Sequence, residues 1–452
     1  MRPVAVVAAC LMASVLVACA HTPAPIEQTR AELTPVDWTE AVSEDIPLTL
    51  AWSDFSDPVL DGLIVAALEN NPGVLSAVEA LALSRLGLRD SQAARRPNYG
   101  VDTGASVSQA RRSGTTSSWS LGAAASYEVD LWGRLADDVE LAELGIVSSE
   151  LNVLTTRISL AAEVAVSYFS LRATDEQLRL RRRSLANARR QRDFIAARLE
   201  AGVTSGIDLD QQEVRVQSLR AGIEDLSASR SLQAQRLAVL TGQPPGALDL
   251  LPRDLDARLP RLAPGTPAQV LMARPDIRGA EVQLASAYIR IDQARTAFFP
   301  TVTLAGDTGF ASNDLKDLLT SGAFSWFAGA NLVATLLDNG ARSRNVERTE
   351  IAARQQVLQY RQTILSALEE VENALIAQET NIRQTQIQRL QLAAQERVTR
   401  ETEARYRAGA ASAFDLVQQQ DALLSSREQS VNIWLSGINA TVSLMRSLAV
   451  AP

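Results

Sequence analysis

The chain has 452 residues, a formal net charge of −8, one histidine (His21) and one lysine (Lys316). The acidic balance argues against a nucleic-acid partner, because nucleic-acid-binding faces are basic. A single histidine close to the start nearly excludes a histidine-based nucleophile relay or a zinc cluster. The sequence also has no phosphate-binding glycine loop and no metal-ligand spacing, so we expect no enzyme activity, no metal and no bound cofactor.

The first 18 residues have the pattern of a processing signal that is absent from the mature protein. Their apolar run is too short for a membrane-spanning helix and ends in Leu16-Val17-Ala18, directly before Cys19. Small residues before a cysteine resemble the lipobox of bacterial lipoproteins, which implies a covalent lipid on Cys19 (S-diacylglycerol and N-acyl). An ordinary secretory signal with an incidental cysteine is the alternative. By the same resemblance, alanine at position 20, directly after the cysteine, implies the outer membrane and not the inner one. The proline-rich residues 19–58 are expected to form a lipidated tether.

Residues 59–240 form the first predicted structural repeat. Its predicted elements are a helix over 59–95, strands over 101–109 and 119–131, a long helix over 135–201 and a further helix over 207–240. In the second strand apolar and polar residues alternate strictly, which indicates a sheet with one apolar and one polar face. Apolar residues at sevenfold spacing in the last helix indicate coiled-coil packing.

A segment rich in proline and glycine, 241–267, separates this region from a second one with the same order of elements. Residues 268–452 are the second predicted repeat, with helices over 268–298 and 342–408, strands over 302–310 and 324–332, and a last helix after Gly409. Gly133 and Gly340, Gly202 and Gly409, and Asp208 and Asp415 are each 207 residues apart. The sequence therefore predicts an internal duplication.

Four strands of this kind cannot close a barrel, and an open sheet edge is not tolerated in lipid. Two copies of the chain would give eight strands and a filled barrel, whereas three copies would give twelve strands and room for a lumen. We therefore predict a mainly α-helical protein whose four strands join a twelve-stranded barrel in a homotrimer. A soluble β-sandwich is the alternative.

Several segments together resemble the TolC-like outer-membrane factor family, in its branch of NodT-type efflux lipoproteins. They are WSDFSDPVLDGLIVAALENNP (52–72), YEVDLWGR (127–134), RPDIRGAE (274–281), ARTAFFPTVTL (294–304) and RYRAGAASAFDLVQQQ (405–420). The resemblance implies a trimeric barrel in the outer membrane, continued through the periplasm by a tunnel of antiparallel coiled-coil helices. It also implies a passive exit duct for drugs or small toxic compounds, joined to a periplasmic adaptor and an inner-membrane RND-type transporter.

The two turns at Gly202 and Gly409 are the candidate functional site. Glycine there can adopt the left-handed conformation that ends a helix, and a serine followed three residues later by Asp208 or Asp415 is a capping box. The resemblance implies that the second turn also forms a periplasmic gate, in which Phe414 matches an apolar ring and Asp415 an acidic one. The next acidic position is Gln418; the corresponding residues of the first turn are Asp208 and Gln211. Helix capping alone is the alternative role of the two aspartates.

Tyr406 and Arg407, beside the second turn, resemble residues that latch the closed gate to neighbouring helices. A pairing between side chains four residues apart on one helix is the alternative. For the whole protein, a type I secretion channel or another export channel is the alternative function. A periplasmic adaptor lipoprotein fits less well, because the chain has a doubled helical hairpin with strands, and a secreted enzyme is improbable without catalytic motifs.

Overall fold

The computed structural model describes residues 24–39, 51–110, 114–253, 255 and 265–452. The signal peptide, Cys19, His21 and residues 254 and 256–264 of the segment 241–267 lie outside these described residues, and so does part of the predicted tether. Among the described residues, no helix is both long and apolar enough to cross a membrane.

The described part of the first half contains five helices and two strands. They are α1 (Ile26–Leu33), α2 (Pro58–Asn70), α3 (Pro72–Ala94), β1 (Asn98–Ala110), β2 (Gly114–Val129), α4 (Arg134–Glu200) and α5 (Gly206–Leu240), with a 3-10 turn at Trp52–Phe55.

The described part of the second half repeats most of this order. It contains α6 (Pro267–Ala273), α7 (Pro275–Thr296), β3 (Thr301–Ser312), β4 (Phe324–Val333), α8 (Ala341–Arg407) and α9 (Ala413–Ser447), with a 3-10 turn at Leu315–Asp317. The long helices α4 and α8 each have 67 residues, and α5 and α9 each have 35.

Two helix predictions are wrong, because each predicted helix is two separate helices in the structure. The predicted helix 59–95 is interrupted at Asn71, and 268–298 is interrupted at Arg274. Both residues have extended backbone, with ψ of 124° and 127°, and both precede a proline. The proline ring disfavours helical backbone in the preceding residue, so the chain turns there.

The predicted strand over 119–131 begins earlier, at Gly114, and ends earlier, at Val129. The apolar alternation continues to Leu131, but the side chain of Asp130 is hydrogen-bonded to the first turn of the next helix. Its carboxylate accepts hydrogen bonds from the backbone nitrogens of Leu135 (3.2 Å) and Ala136 (2.8 Å). An aspartate that caps α4 in this way ends the strand.

The chain divides into two compact units, each drawn from both halves of the sequence. The first contains Glu79–Leu151 and Arg278–Thr363, with the described residues up to Leu33; the second contains Thr34–Val78, Asn152–Ile277 and Ile364–Pro452.

The first unit holds a four-stranded antiparallel sheet in the order β1-β2-β3-β4. The register aligns Val101 with Ala123, Ala123 with Thr308, and Thr308 with Trp326. Side chains in such a row share one face of the sheet. This face is apolar, and several of its large residues are exposed, including Tyr99, Val101, Leu304, Trp326 and Leu332. The opposite face is mostly small or polar, so the predicted alternation is confirmed in register.

The second unit contains the main hydrophobic core. Leu60 of α2, Phe169 of α4 and Leu237 of α5 are buried there against residues of α8 and α9. Trp52 and Phe55, in the region that we predicted to be a tether, are also buried, and the rings of Phe55 and Phe169 lie 5.0 Å apart. The last residues of that region therefore belong to the folded core.

Candidate functional site

The two turns predicted from the sequence have the same backbone geometry. Gly202 has a φ of 73° and Gly409 a φ of 75°. At the first turn the nitrogen of Val203 donates to the carbonyl oxygen of Arg198 (3.0 Å); at the second, Ala410 donates to Arg405 (2.8 Å). The nitrogen of each glycine also donates to the carbonyl oxygen three residues before it. Together these bonds close the last helical turn, and the positive φ at this position explains the need for glycine.

Both predicted capping boxes are present. The nitrogen of Asp208 donates to Oγ of Ser205 (3.3 Å), and Ser205 donates in return from its backbone nitrogen (3.2 Å) to Oδ2 of Asp208. Ser412 and Asp415 make the same pair of bonds, at 3.1 and 3.0 Å. Each box satisfies backbone donors that the first turn of a helix leaves without partners.

Hydrogen bonds to the charged form lower the pKa of both aspartates. For Asp208 the largest contribution comes from the hydroxyl of Thr204, which donates to Oδ2 at 2.7 Å. For Asp415 it comes from the hydroxyl of Ser412, also at 2.7 Å. Both side chains are therefore carboxylates at neutral pH.

Two of the predicted gate residues, Phe414 and Gln211, line the same groove. This groove runs between α5 and α9, has a volume of about 710 Å³, and is also lined by Ile207, Val214 and Val417. Phe414 is 59% exposed. Asp415 and Gln418 are exposed and Asp208 is partly exposed, but none of the three lines the groove.

The two predicted latch residues lie beside a different cavity, of about 530 Å³, in the second unit. Tyr406, Arg407, Glu403 and Phe194 line it. Arg407 donates from Nη2 to Oε1 of Glu403 at 2.6 Å, and its side chain is 73% exposed. This is the alternative pairing along one helix; a latch to neighbouring helices stays a prediction.

A charge contact in the lining of the groove was not predicted from the sequence. Arg215 of α5 is 8% exposed, and its Nε donates to Oδ1 of Asp421 of α9 at 3.0 Å. Burial lowers the pKa of the Arg215 guanidinium. Asp421 lies 206 residues away in the sequence, and no local pattern connects the two.

A second ion pair between helices is partly buried and depends on a glycine. Arg181 of α4 donates from Nε to Oε1 of Glu428 of α9 at 2.6 Å. Its guanidinium passes directly over Gly222 of α5, where an added Cβ would lie 1.9 Å from Nη1 of Arg181. A glycine inside a long helix can have a packing reason of this kind, and Gly222 could have been noted from the sequence, although Gly145 of α4 has open space around it.

These features define a class of protein: long helical hairpins with capped turns, joined to a short antiparallel sheet whose exposed face is apolar. Comparison with known proteins identifies the class. Residues 63–243 and 266–450 match the family model described as outer membrane efflux protein, and the chain belongs to this family.

Individual relatives agree. The chain is 30% identical to the pyoverdine export outer membrane protein OpmQ of Pseudomonas aeruginosa, over 99% of this chain and 96% of that protein. It is 27% identical to the probable outer membrane lipoprotein SilC of Salmonella typhimurium, over 94% and 93%. The outer-membrane channel OprN matches in structure with a TM-score of 0.84 and 25% identity, over 92% and 96%. The protein is thus the outer-membrane component of a tripartite efflux system, as predicted.

Proposed function

We propose that three copies of the chain close a twelve-stranded barrel in the outer membrane and form a passive channel for small organic compounds. The observation that carries this proposal is the sheet order, which leaves β1 and β4 as edge strands within the described part of the chain. Unpaired strand edges are unfavourable in lipid, and pairing β4 of one copy with β1 of the next removes them. The exposed apolar face would then meet the lipid and the polar face the lumen.

Chemical cross-linking in the purified mature protein tests this arrangement. Cysteines at Tyr99 in β1 and Leu332 in β4, both exposed near strand ends, should be joined between copies by a flexible bis-maleimide, giving covalent trimers on a denaturing gel. The control replaces Leu332→Cys by Leu121→Cys, in the interior strand β2, and should give far less cross-linking between copies. A protein that is monomeric by light scattering in detergent, and that conducts no ions across planar bilayers, would refute the proposal.

The helices supply the periplasmic part of the proposed channel. Their capped turns would form its inner end, which a periplasmic adaptor and an RND-type inner-membrane transporter would engage and open. The two matched sets of elements, with long and short helices of equal length in both halves, support the proposed internal duplication. We expect the inner-membrane transporter to supply the energy, with this channel as a passive exit duct.

At the gate, the chain would retain one acidic ring from Asp415 and have an amide at the position of Gln418. Divalent cations should therefore bind this gate more weakly than they bind the gate of a relative with both acidic rings. Strong single-channel block by divalent cations that persists in Asp415→Ala would contradict this assignment.

We also propose that Cys19 is the lipid anchor. The similarity to the lipoprotein SilC supports this modification. Palmitate labelling should be lost in Cys19→Ser, and labelling that persists in this variant would refute the assignment.

A further inference from the structure

One residue departs from the polar character of the second face of the sheet. Phe327 of β4 is the single aromatic residue on this face in the described strands, and it is 57% exposed. Its ring lies over Gly329, where an added Cβ would be 2.6 Å from Cζ of Phe327. Because residue 329 has no side chain, the ring of Phe327 can lie directly against the strand at this position.

A carboxylate lies next to this ring. Asp307 of β3 is directly opposite Phe327 in the register, and it is exposed. Directly opposed residues have Cβ atoms about 4.5–5.5 Å apart and share one face. The next pair on that face is Ala305 and Gly329, whose small size leaves space beside the ring and the carboxylate.

The charge of the surrounding strands has one sign. The four strands contain no lysine, arginine or histidine, and their charged residues are Asp102, Glu128 and Asp307. Glu128 pairs with Arg134 at 2.8 Å. Among the described residues, neither Asp102 nor Asp307 forms an ion pair, so the polar face favours cations over anions.

We propose that Phe327 and Asp307 form a weak binding site for amphipathic organic cations on the polar face of the sheet. The proposal rests on the channel function above, which makes this face the wall of the lumen. An aromatic face attracts a cation and also covers its apolar part, while the carboxylate adds an attraction that a neutral compound lacks. Both groups are exposed to water, so binding is weak, and a conduit requires this because its cargo must also leave.

Tetraphenylphosphonium is a suitable probe, because it is a permanent cation with a large apolar surface. Its dissociation constant is measured by equilibrium dialysis with the purified mature protein in detergent, and its block of ion current is measured in planar bilayers. Phe327→Ala and Asp307→Asn should each raise the dissociation constant about two- to fivefold, in keeping with an exposed cation–aromatic contact. Phe327→Trp should keep or strengthen binding, because tryptophan is the best aromatic partner of a cation.

Two matched controls lie in the same sheet, one on β4 and one on β1. Phe324→Ala removes a phenylalanine of the opposite, apolar face, whose ring lies 5.4 Å from that of Phe310. Asp102→Asn removes the other unpaired carboxylate of the polar face. Neither variant should change the dissociation constant as much as Phe327→Ala or Asp307→Asn.

Equal binding by the parent protein, Phe327→Ala and Asp307→Asn would overturn the site, and so would an equal loss in Phe324→Ala. The two proposals can fail separately. A parent protein that conducts ions while its variants bind the probe unchanged refutes only the site. A parent that forms no trimer and no conducting channel refutes the channel, and dialysis in detergent then still decides whether the probe binds at Phe327 and Asp307.

Discussion

The ion pair between Arg181 and Glu428 connects helices α4 and α9, and it depends on the absence of a side chain at Gly222. Arg181 reaches Oε1 and Oε2 of Glu428 at 2.6 and 3.3 Å, and the two side chains are 30% and 21% exposed. A Cβ on residue 222 would overlap the guanidinium, 1.9 Å from its Nη1. The neighbour is the end of a flexible side chain, so Gly222→Ala should displace Arg181 and break the ion pair, with the backbone unchanged.

Two opposing contributions set the size of this effect. Alanine in place of glycine inside a helix stabilises by about 1 kcal/mol. Hydrogen bonds to charged groups contribute about 1.5–3 kcal/mol each when they are made, and the lower end applies to a pair that still contacts water. Gly222→Ala should therefore reduce the free energy of unfolding by about 0.5–2 kcal/mol per chain.

Denaturant titration followed by helical circular dichroism, at one fixed protein concentration, measures this change. Gly62→Ala is the matched control: this helical glycine is in the same compact unit, is exposed, and has open space around an added Cβ. It should raise the free energy of unfolding by up to about 1 kcal/mol. In an Arg181→Ala background, where the overlap is removed, Gly222→Ala should become stabilising as well.

The decisive result is a change of sign: Gly222→Ala should lower the free energy of unfolding of the parent and raise that of the Arg181→Ala protein. If Gly222→Ala destabilises the Arg181→Ala protein as much as the parent, the cause is not the displacement of Arg181. If Gly222→Ala and Gly62→Ala have the same effect in the parent, the ion pair contributes nothing measurable.

Three further outcomes are expected. Leu60→Ala should lower the free energy of unfolding by about 2–5 kcal/mol, because Leu60 is fully buried in the core, whereas Val65→Ala, on the same helix but 54% exposed, should change it by less than about 0.5 kcal/mol. Gln418→Asp should strengthen single-channel block by divalent cations, and unchanged block would argue against a gate at this position. The lowered pKa of Asp415 means that its stabilisation is complete above the unfolded-state pKa of about 4 and is lost as the pH falls through the folded-state pKa. In denaturant titrations at a series of pH values, the parent should therefore be more stable than Asp415→Asn at neutral pH, and this difference should disappear in the acid range; a difference that stays constant down to the lowest pH would contradict the role of the carboxylate.

The long helices could be predicted to within about one residue at each end. The sequence predicts 135–201 and 342–408, and the structure has Arg134–Glu200 and Ala341–Arg407. Their ends are encoded locally, by a glycine that ends the helix and a serine-aspartate pair that begins the next one. The faces of the strands were also predictable, because a strand has a side-chain period of two.

Contacts between distant residues were not predictable in the same way. Arg230 interrupts an otherwise apolar sevenfold series in α5, and the sequence offers no reason for it. In the structure its Nε donates to Oδ1 of Asp175 at 2.5 Å, and Asp175 also pairs with Arg172 at 2.9 Å. Asp175 lies 55 residues before Arg230, so only the folded hairpin explains why a charge is placed among apolar residues.

Helix capping and a fixed charge at the gate are compatible roles for Asp208 and Asp415. Every capping hydrogen bond described at these side chains is accepted by Oδ2, at Asp208 as at Asp415, so capping does not use Oδ1. The same bonds lower the pKa of both side chains and thereby keep the carboxylates ionised. A strong cap thus maintains the negative charge that a cation-binding ring requires. The two roles can be separated chemically, because Asp415→Asn retains an oxygen acceptor without the charge, whereas Ser412→Ala removes the hydroxyl donor and retains the carboxylate.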